Sequence, residues 1–255
     1  MKTAVIIPIF GRHDLTRAIL RDLEPEVQLA DIWLVDNQGG FESEQVPVTV
    51  LTPGSNLGWC RGSNYGVTAA WDHGYEVFIL LNNDVRLSHS FIGGLLEAAS
   101  ATGGDVIGPL YDHNWPHQRS AYTGSARDYA GRPFDQVVPF IDGTCMVIRR
   151  TTFESVGLLE ERYWRKYSWG CDKDFALRVR TAGGSVWVTE RSYLNHIARQ
   201  TARQFQDFSE LDAERENDED MAEKWGPNWR DLLYAGFGSF SRLGMVQQRI
   251  QEKGI

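Results

Sequence analysis

Val77-Phe78-Ile79-Leu80-Leu81-Asn82-Asn83-Asp84-Val85 is an apolar run closed by two amides and a carboxylate. A run with no polar alternation reads as a strand of a parallel sheet with both faces covered. In open α/β sheets ligands gather outside the carboxyl ends of the strands, so Asp84 reads as a rim residue able to offer oxygen to a hard cation. Asn-Asn-Asp also suits a turn and helix cap, because these side chains bond nearby backbone N–H groups. The triplet alone leaves both readings open.

Working outward, the segments before it repeat one pattern. Ala4 to Ile9 is a β-branched run closed by Gly11. Leu15, Ile19 and Leu23 then recur every four residues behind Asp14, a helix with a capping acid, and Pro25 stops it. Ile32 to Val35 ends in Asp36-Asn37, and Val48 to Leu51 ends at Pro53-Gly54. Between there and the opening strand lies Asn56-Leu57-Gly58-Trp59-Cys60-Arg61-Gly62-Ser63-Asn64-Tyr65-Gly66, read as a glycine-rich loop leading into a helix. Close backbone approach and Arg61 would suit an anion there, although neither a Walker motif nor a dinucleotide fingerprint is present. Strand alternating with helix is the beginning of a doubly wound sheet.

After it the spacing predicts a helix near Ser90 to Ala101 and a strand over Asp105 to Pro109. Alternation then fails between Tyr111 and Phe140, an aromatic, turn-rich tract. Ile141 to Arg150 restores a strand, and Thr151 caps a short helix. Asp172 opens a helix ending at Gly183-Gly184, where the carboxylate is either a cap or a site residue. Asp174 and Arg178 have the i, i+4 spacing of a structural ion pair. Ser185 to Val188 reads as a short strand, and His196 beyond it as a lone histidine. Asp207 to Glu223 is an acidic, solvated helix. A final helix starts at Trp229.

With 26 basic and 34 acidic residues the net charge is -8, which argues against nucleic acid as primary partner. Hydrophobic content of 42% and charged content of 24% are ordinary globular values. Nine tryptophans exceed what a core needs, and flat rings are suited to holding sugars or bases. Cys60, Cys145 and Cys171 are odd in number and widely spaced, without a zinc or disulfide pattern, which suggests a reducing compartment. Pro8, Gly11 and Arg12 cut the N-terminal apolar run too short for a signal peptide, and no segment has the roughly 20 apolar residues that span a bilayer. The expectation is a soluble cytoplasmic protein. Its acidic segment and last helix are candidates for a contact between copies, or for peripheral approach to a membrane.

Ile7-Pro8, Val35-Asp36-Asn37, Asn56-Leu57-Gly58 with Gly62, Asn64 and Gly66, and Leu80 to Asp84 together resemble family 2 glycosyltransferases of the GT-A fold, rhamnosyltransferase-like branch. Phe153 to Gly157 and Gly170-Cys171-Asp172-Lys173-Asp174 with Arg178 are similar to the family's stretch into its catalytic acid. The resemblance covers about residues 3–201. It implies one α/β, Rossmann-like GT-A domain over 1–204, with a mostly parallel mixed sheet flanked by helices. Its nucleotide-binding half would span about 1–110 and its acceptor half about 111–204, with 205–255 a C-terminal helical extension.

The activity implied is inverting transfer of a sugar from a nucleotide sugar, UDP- or dTDP-linked, to a hydroxyl of a glycan or glycolipid acceptor. Pro8, Ile9, Phe10 and Asp36 would line the nucleoside pocket, with Arg61, Asn64, Asn83 and Asp84 toward the donor. Asp84 and His196 would hold Mn2+ or Mg2+. Asp142, Gly143 and Trp169 would border the acceptor, and Asp172 would be the base. Two departures stand out: Asn82 and Asn83 replace acids, and Cys171 replaces the Glu before the base. A sugar nucleotidyltransferase and a non-catalytic nucleotide-sugar-binding module are the competing readings. The first expects a longer glycine- and basic-rich loop after strand one than Gly11-Arg12 offers.

Overall fold

The computed structural model describes residues 1–43, 45–112, 115–162, 169–197 and 209–238. The opening run forms β4 (Val77–Leu81), a strand with no exposed position, beside β1 (Thr3–Ile9). Alternate residues feed two cores. Ala4, Ile6, Phe78 and Leu80 face one cluster, while Val5, Ile7, Ile9, Val77, Ile79 and Leu81 face the other. Both sheet faces are covered, which is why the run lacks alternation; each such side chain contributes roughly 1.5–3 kcal/mol on burial.

β2 (Asp31–Asp36) and β3 (Val48–Leu51) extend the sheet in parallel beyond β1. On the other side of β4 comes β8 (Cys145–Arg149), antiparallel, then β6 (Val106–Tyr111) and β9 (Val186–His196). β5 (Val85–Leu87) and β7 (Asp135–Val137) both pair antiparallel with β9. The pairings therefore run β1, β2, β3, β4, β6 and β9 in one direction and β5, β7 and β8 against it. The sheet is mixed and mostly parallel. Helices α1 (His13–Leu23) and α3 (Phe91–Thr102) cover one face. The other is covered by α2 (Gly58–Ala70), α4 (Arg150–Val156), α5 (Cys171–Thr181), α6 (Glu210–Trp225) and α7 (Trp229–Tyr234).

Four local expectations change. The stretch 58–66 is the first half of α2 rather than a loop. Gly62 and Gly66 let that helix lie against β1: a methyl at Gly66 would strike Ile6 Cγ2 and sit 3.0 Å from Val35 Cγ2, and one at Gly62 would lie 3.2 Å from Pro8 Cβ. Asp14 does not cap α1; Arg12, at φ 43°, holds that position and forms an ion pair with Asp14 at 2.8 Å. The opening strand stops at Leu81, and Val85 begins a separate strand on the far side of the sheet. Most consequential is β9, which runs eleven residues and ends at His196, where the sequence suggested a short strand. Pro109 pairs with Thr189 and Leu110 with Tyr193, so the polar residues Glu190 to Ser192 bulge out of the ladder and β9 continues beside β6 beyond them.

The acidic helix α6 docks through a charge. Asp174, fully buried, accepts from Arg178 Nε at 2.9 Å and Trp225 Nε1 at 2.8 Å and pairs with Lys224 at 2.8 Å. Met221, Trp229 and Leu233 join the same apolar cluster as α5. The division at 204/205 lies outside the described residues. Among those described, no helix is long and apolar enough to cross a membrane.

Candidate active site

Strand direction gathers the acids. The carboxyl ends of β1, β2, β4, β6 and β9 share one rim, and because β8 is antiparallel its amino end lies there too, with Leu81 opposite Cys145. Asp36, Asp84, Asp112, Asp142 and His196 therefore sit at or just beyond one edge of the sheet.

Asp84 and His196 meet across the β5/β9 ladder. Val85 pairs with His196, Ile197 donates its backbone N–H to the Asp84 carbonyl at 2.9 Å, and His196 Nε2 lies 3.5 Å from Asp84 Oδ1. Asp112 accepts from the His196 backbone N–H and from Asn195 Nδ2, both at 2.9 Å. Burial acts to lower the His196 pKa, but the Asp84 hydrogen bond and charge prevail and hold it above its ordinary value.

Asp142 sits in the turn before β8. Its Oδ2 accepts from Trp115 Nε1 at 3.2 Å and its Oδ1 from the Thr144 N–H at 2.9 Å and the Thr144 hydroxyl. Gly143 is next, and a side chain there would press on the Trp59 ring. Asp172 lies in the first turn of α5, behind Gly170 at φ 101°. Burial raises its carboxyl above the usual range; Lys173 works against that shift and the Asp142 charge adds to it. Lys173 Nζ is 3.4 Å from Asp172 Oδ1 and lies over the Trp115 and Phe140 rings, at 5.1 and 5.4 Å from their centres. Trp169, half-buried, precedes Asp172 by three residues.

The donor-side residues serve the frame. Asp36 is fully buried, and its carboxylate accepts from the N–H groups of Gln38, Gly39 and Phe41 at 3.2, 2.9 and 2.9 Å, so it shapes the loop after β2 rather than presenting an open acid. Asn64 clamps the 159–161 segment through Leu159 N, Leu159 O and Glu161 Oε1, and exposed Arg61 approaches Glu161 at 4.0 Å. Asn83 Nδ2 donates to Thr16 Oγ1 at 3.1 Å. Pro8 and Ile9 are buried in β1, with Phe10 half-buried at its end.

Among the described residues no group of three His, Cys, Asp or Glu side chains is arranged around a metal. The donors present still fit a cation that a substrate completes. Asp84 gives a carboxylate, His196 an imidazole, and Asn82 Oδ1 is buried without a hydrogen bond. Mg2+ commonly takes one or two carboxylates and leaves the other positions to water and substrate phosphates.

Several participants escape sequence reasoning. Lys173 looks like a surface lysine on a helix; only tertiary packing shows it closed against Asp172. Trp115, His117 and Asp112 lie in or beside the aperiodic tract, whose aromatic density is the sole clue to them. Cys60 and Cys171, 111 positions apart, are both buried and both donate to the Glu160 carbonyl, at 3.3 and 3.7 Å. Burial, with the Cys60 thiol beside it, pushes the Cys171 thiol well up, so the residue replacing the family Glu is neutral and faces Cys60 and Glu160.

No family model matches the chain. It is 36% identical over 198 residues to the uncharacterised protein Rv1525 of Mycobacterium tuberculosis, covering 78% of this chain and 75% of that protein. It is 28% identical over 218 residues to the N-acetylglucosaminyl-diphospho-decaprenol L-rhamnosyltransferase of the same species, with 69% and 68% covered. The crystal structure of GalNAc-T7 with UDP, GalNAc and Mn2+ shares the fold, at a TM-score of 0.65 and 15% identity. That match takes in 99% of this chain, which spans 54% of GalNAc-T7.

Proposed function

The chain belongs to the family 2 glycosyltransferases of the GT-A fold, in their rhamnosyltransferase-like branch, and on that premise we propose a metal-assisted, inverting transferase. It moves a sugar from a UDP- or dTDP-sugar to a hydroxyl of a glycan-type acceptor. The observation that carries this reading is a cation-suited pair, Asp84 with His196, and a buried carboxylate of raised proton affinity, Asp172, both within the field of Asp142.

Asp172 is the base. The acceptor O–H gives its proton to the Asp172 carboxylate as the oxygen bonds to the anomeric carbon, and the bond from that carbon to the diphosphate oxygen breaks with its electron pair leaving on the diphosphate. Attack opposite the leaving group inverts the centre. A raised carboxyl pKa makes a stronger base near neutral pH, and Lys173 keeps the carboxylate ionised enough to act. Asp84 and His196 would hold Mn2+ or Mg2+, with Asn82 Oδ1 available as a third donor. Bound there, the cation supplies positive charge to the departing diphosphate. Asp142, held by Trp115 and Thr144, would orient the acceptor with Gly143 and Trp169.

The test is transfer from candidate UDP- and dTDP-sugars with Mn2+, comparing the parent with Asp172→Asn. A positioned base contributes about 10² to 10⁴ in rate, so the variant should lose at least two decades of kcat while its donor affinity holds. Equal turnover in the two proteins removes Asp172 from the mechanism.

A further inference from the structure

The tract between Tyr111 and Phe140, which the transfer chemistry leaves almost unused, builds a concavity of about 540 Å³ against β9. That is within the range of about 300–1,000 Å³ of small-ligand sites. We propose that this concavity is a subsite for a second, uncharged sugar unit of the acceptor; the proposal rests on the transferase reading above.

Its position is the first argument. His117 lines the cavity on one side and on the other packs edge-on against Phe140, 4.6 Å between ring centres, within the field of Asp142. Its neighbour Gln118 accepts from the Asp142 N–H at 2.8 Å and donates to the Pro109 carbonyl at 3.1 Å. The wall of the cavity is thus continuous with the residues that hold Asp142, the side on which the next unit of an acceptor glycan would lie.

Its chemistry is the second argument. Tyr122, Tyr129 and Phe134 line it. The hydroxyls of Tyr122 and Tyr129 already donate to the Ser125 and Glu190 carbonyls, each at 3.0 Å, so what they offer a ligand is ring surface. Arg119, Asp128 and Gln136 also line it and have no side-chain hydrogen bond or ion pair among the described residues. They provide both donors and acceptors. Arg132 forms an ion pair with Glu190, and Arg119 and Asp128 add one formal charge of each sign to the lining. No net charge is left to hold a phosphate or a cation, and the guanidinium and carboxylate groups disfavour an acyl chain. A polyhydroxyl ring, apolar on its C–H face and hydrogen-bonding at its edge, matches the lining.

Fluorine NMR of the full chain labelled with fluorotyrosine tests this, with Tyr122 and Tyr129 assigned by single Phe substitutions. The probes are glucose, N-acetylglucosamine, cellobiose and N,N′-diacetylchitobiose, with inorganic phosphate as the charged control. At least one disaccharide should move both resonances more strongly than its monosaccharide, and phosphate should move neither. Arg119→Ala with Asp128→Ala, two side chains with no internal bond to lose, should weaken that binding roughly tenfold, about 1.4 kcal/mol. Silent tyrosines with all four sugars, or equal binding in the double variant, overturn the proposal even where transfer is observed. Sugar binding at the tyrosines with no transfer from any nucleotide sugar supports the site and counts against the transferase reading instead.

Discussion

Lys173→Met removes one charge from the candidate site while keeping a flexible apolar stem over the Trp115 and Phe140 rings. Lys173 Nζ and Asp172 Oδ1 are 3.4 Å apart and both side chains are 11% exposed. At an effective dielectric of about 20, Coulomb's law gives an attraction of about 5 kcal/mol at that separation. Desolvation of the two ions offsets part of it, and removing one partner of a buried pair typically costs about 3–5 kcal/mol. The carboxylate left behind is buried and near Asp142, so it relieves the loss by binding a proton. Each 1.36 kcal/mol of lost pairing moves a titration by one pH unit, so the acid limb of the kcat/KM profile should move toward higher pH, by roughly two to four units at most. Activity should fall at neutral pH and recover above the displaced limb, and Lys173→Arg should restore the parent profile. The assay is initial-rate transfer across pH at saturating donor and metal. A uniform loss at every pH, with the limb where the parent has it, would refute the pairing argument.

Three further outcomes bear on the frame. Gly66→Ala should destabilise, because overpacking against Ile6 and Val35 costs about 1–3 kcal/mol and outweighs the helix-propensity gain of about 1 kcal/mol, whereas Gly62→Ala should be close to neutral. Thermal melts at roughly 2–4 °C per kcal/mol should separate the two, and equal melting points would contradict the packing described. Burial lowers the His117 pKa to about 4, so the unfolded chain takes up a proton near 6.5 that the folded chain refuses until about 4. Stability present above pH 6.5 is therefore lost as pH falls toward 4, by on the order of 3 kcal/mol, and the urea midpoint of His117→Gln should show a correspondingly shallower fall. Asp174→Asn leaves Arg178 and Lys224 facing one another without their carboxylate, which should lower the melting temperature by on the order of 10 °C; a change of only a degree or two would show that α6 is not held through this charge.

Much of this arrangement is legible without coordinates, and the exceptions have physical causes. β1 and β4 are readable because burial on both faces demands an uninterrupted apolar run, and their rim residues follow from where the runs end. The first half of α2 reads as a loop because Gly58, Gly62 and Gly66 depress helix propensity; close contact with Pro8 and Ile6 selects Gly62 and Gly66 in spite of it, and Gly58 takes φ 68°. β9 reads as a short strand because Thr189 to Ser192 are polar. Thr189 pairs with β6 and β7, Glu190 to Ser192 bulge out of the β6 ladder, and local bonds such as Ser192 Oγ to the Phe91 carbonyl at 2.8 Å hold them, partners that no periodicity encodes.

The sequence by itself determined the kind of sheet and the end of it that carries chemistry. An apolar run of that length has to be covered on both faces, and the acid after Leu81 has to emerge at its carboxyl end. Only the tertiary structure decided the company that acid keeps. His196 reaches Asp84 because β5 crosses to pair with β9. Lys173 closes on Asp172 because α5 packs over Trp115 and Phe140, and Asp142 joins them because β8 runs antiparallel. Those meetings are set by strand pairing and helix packing between distant segments, whereas local pattern reports only which face of an element must leave water.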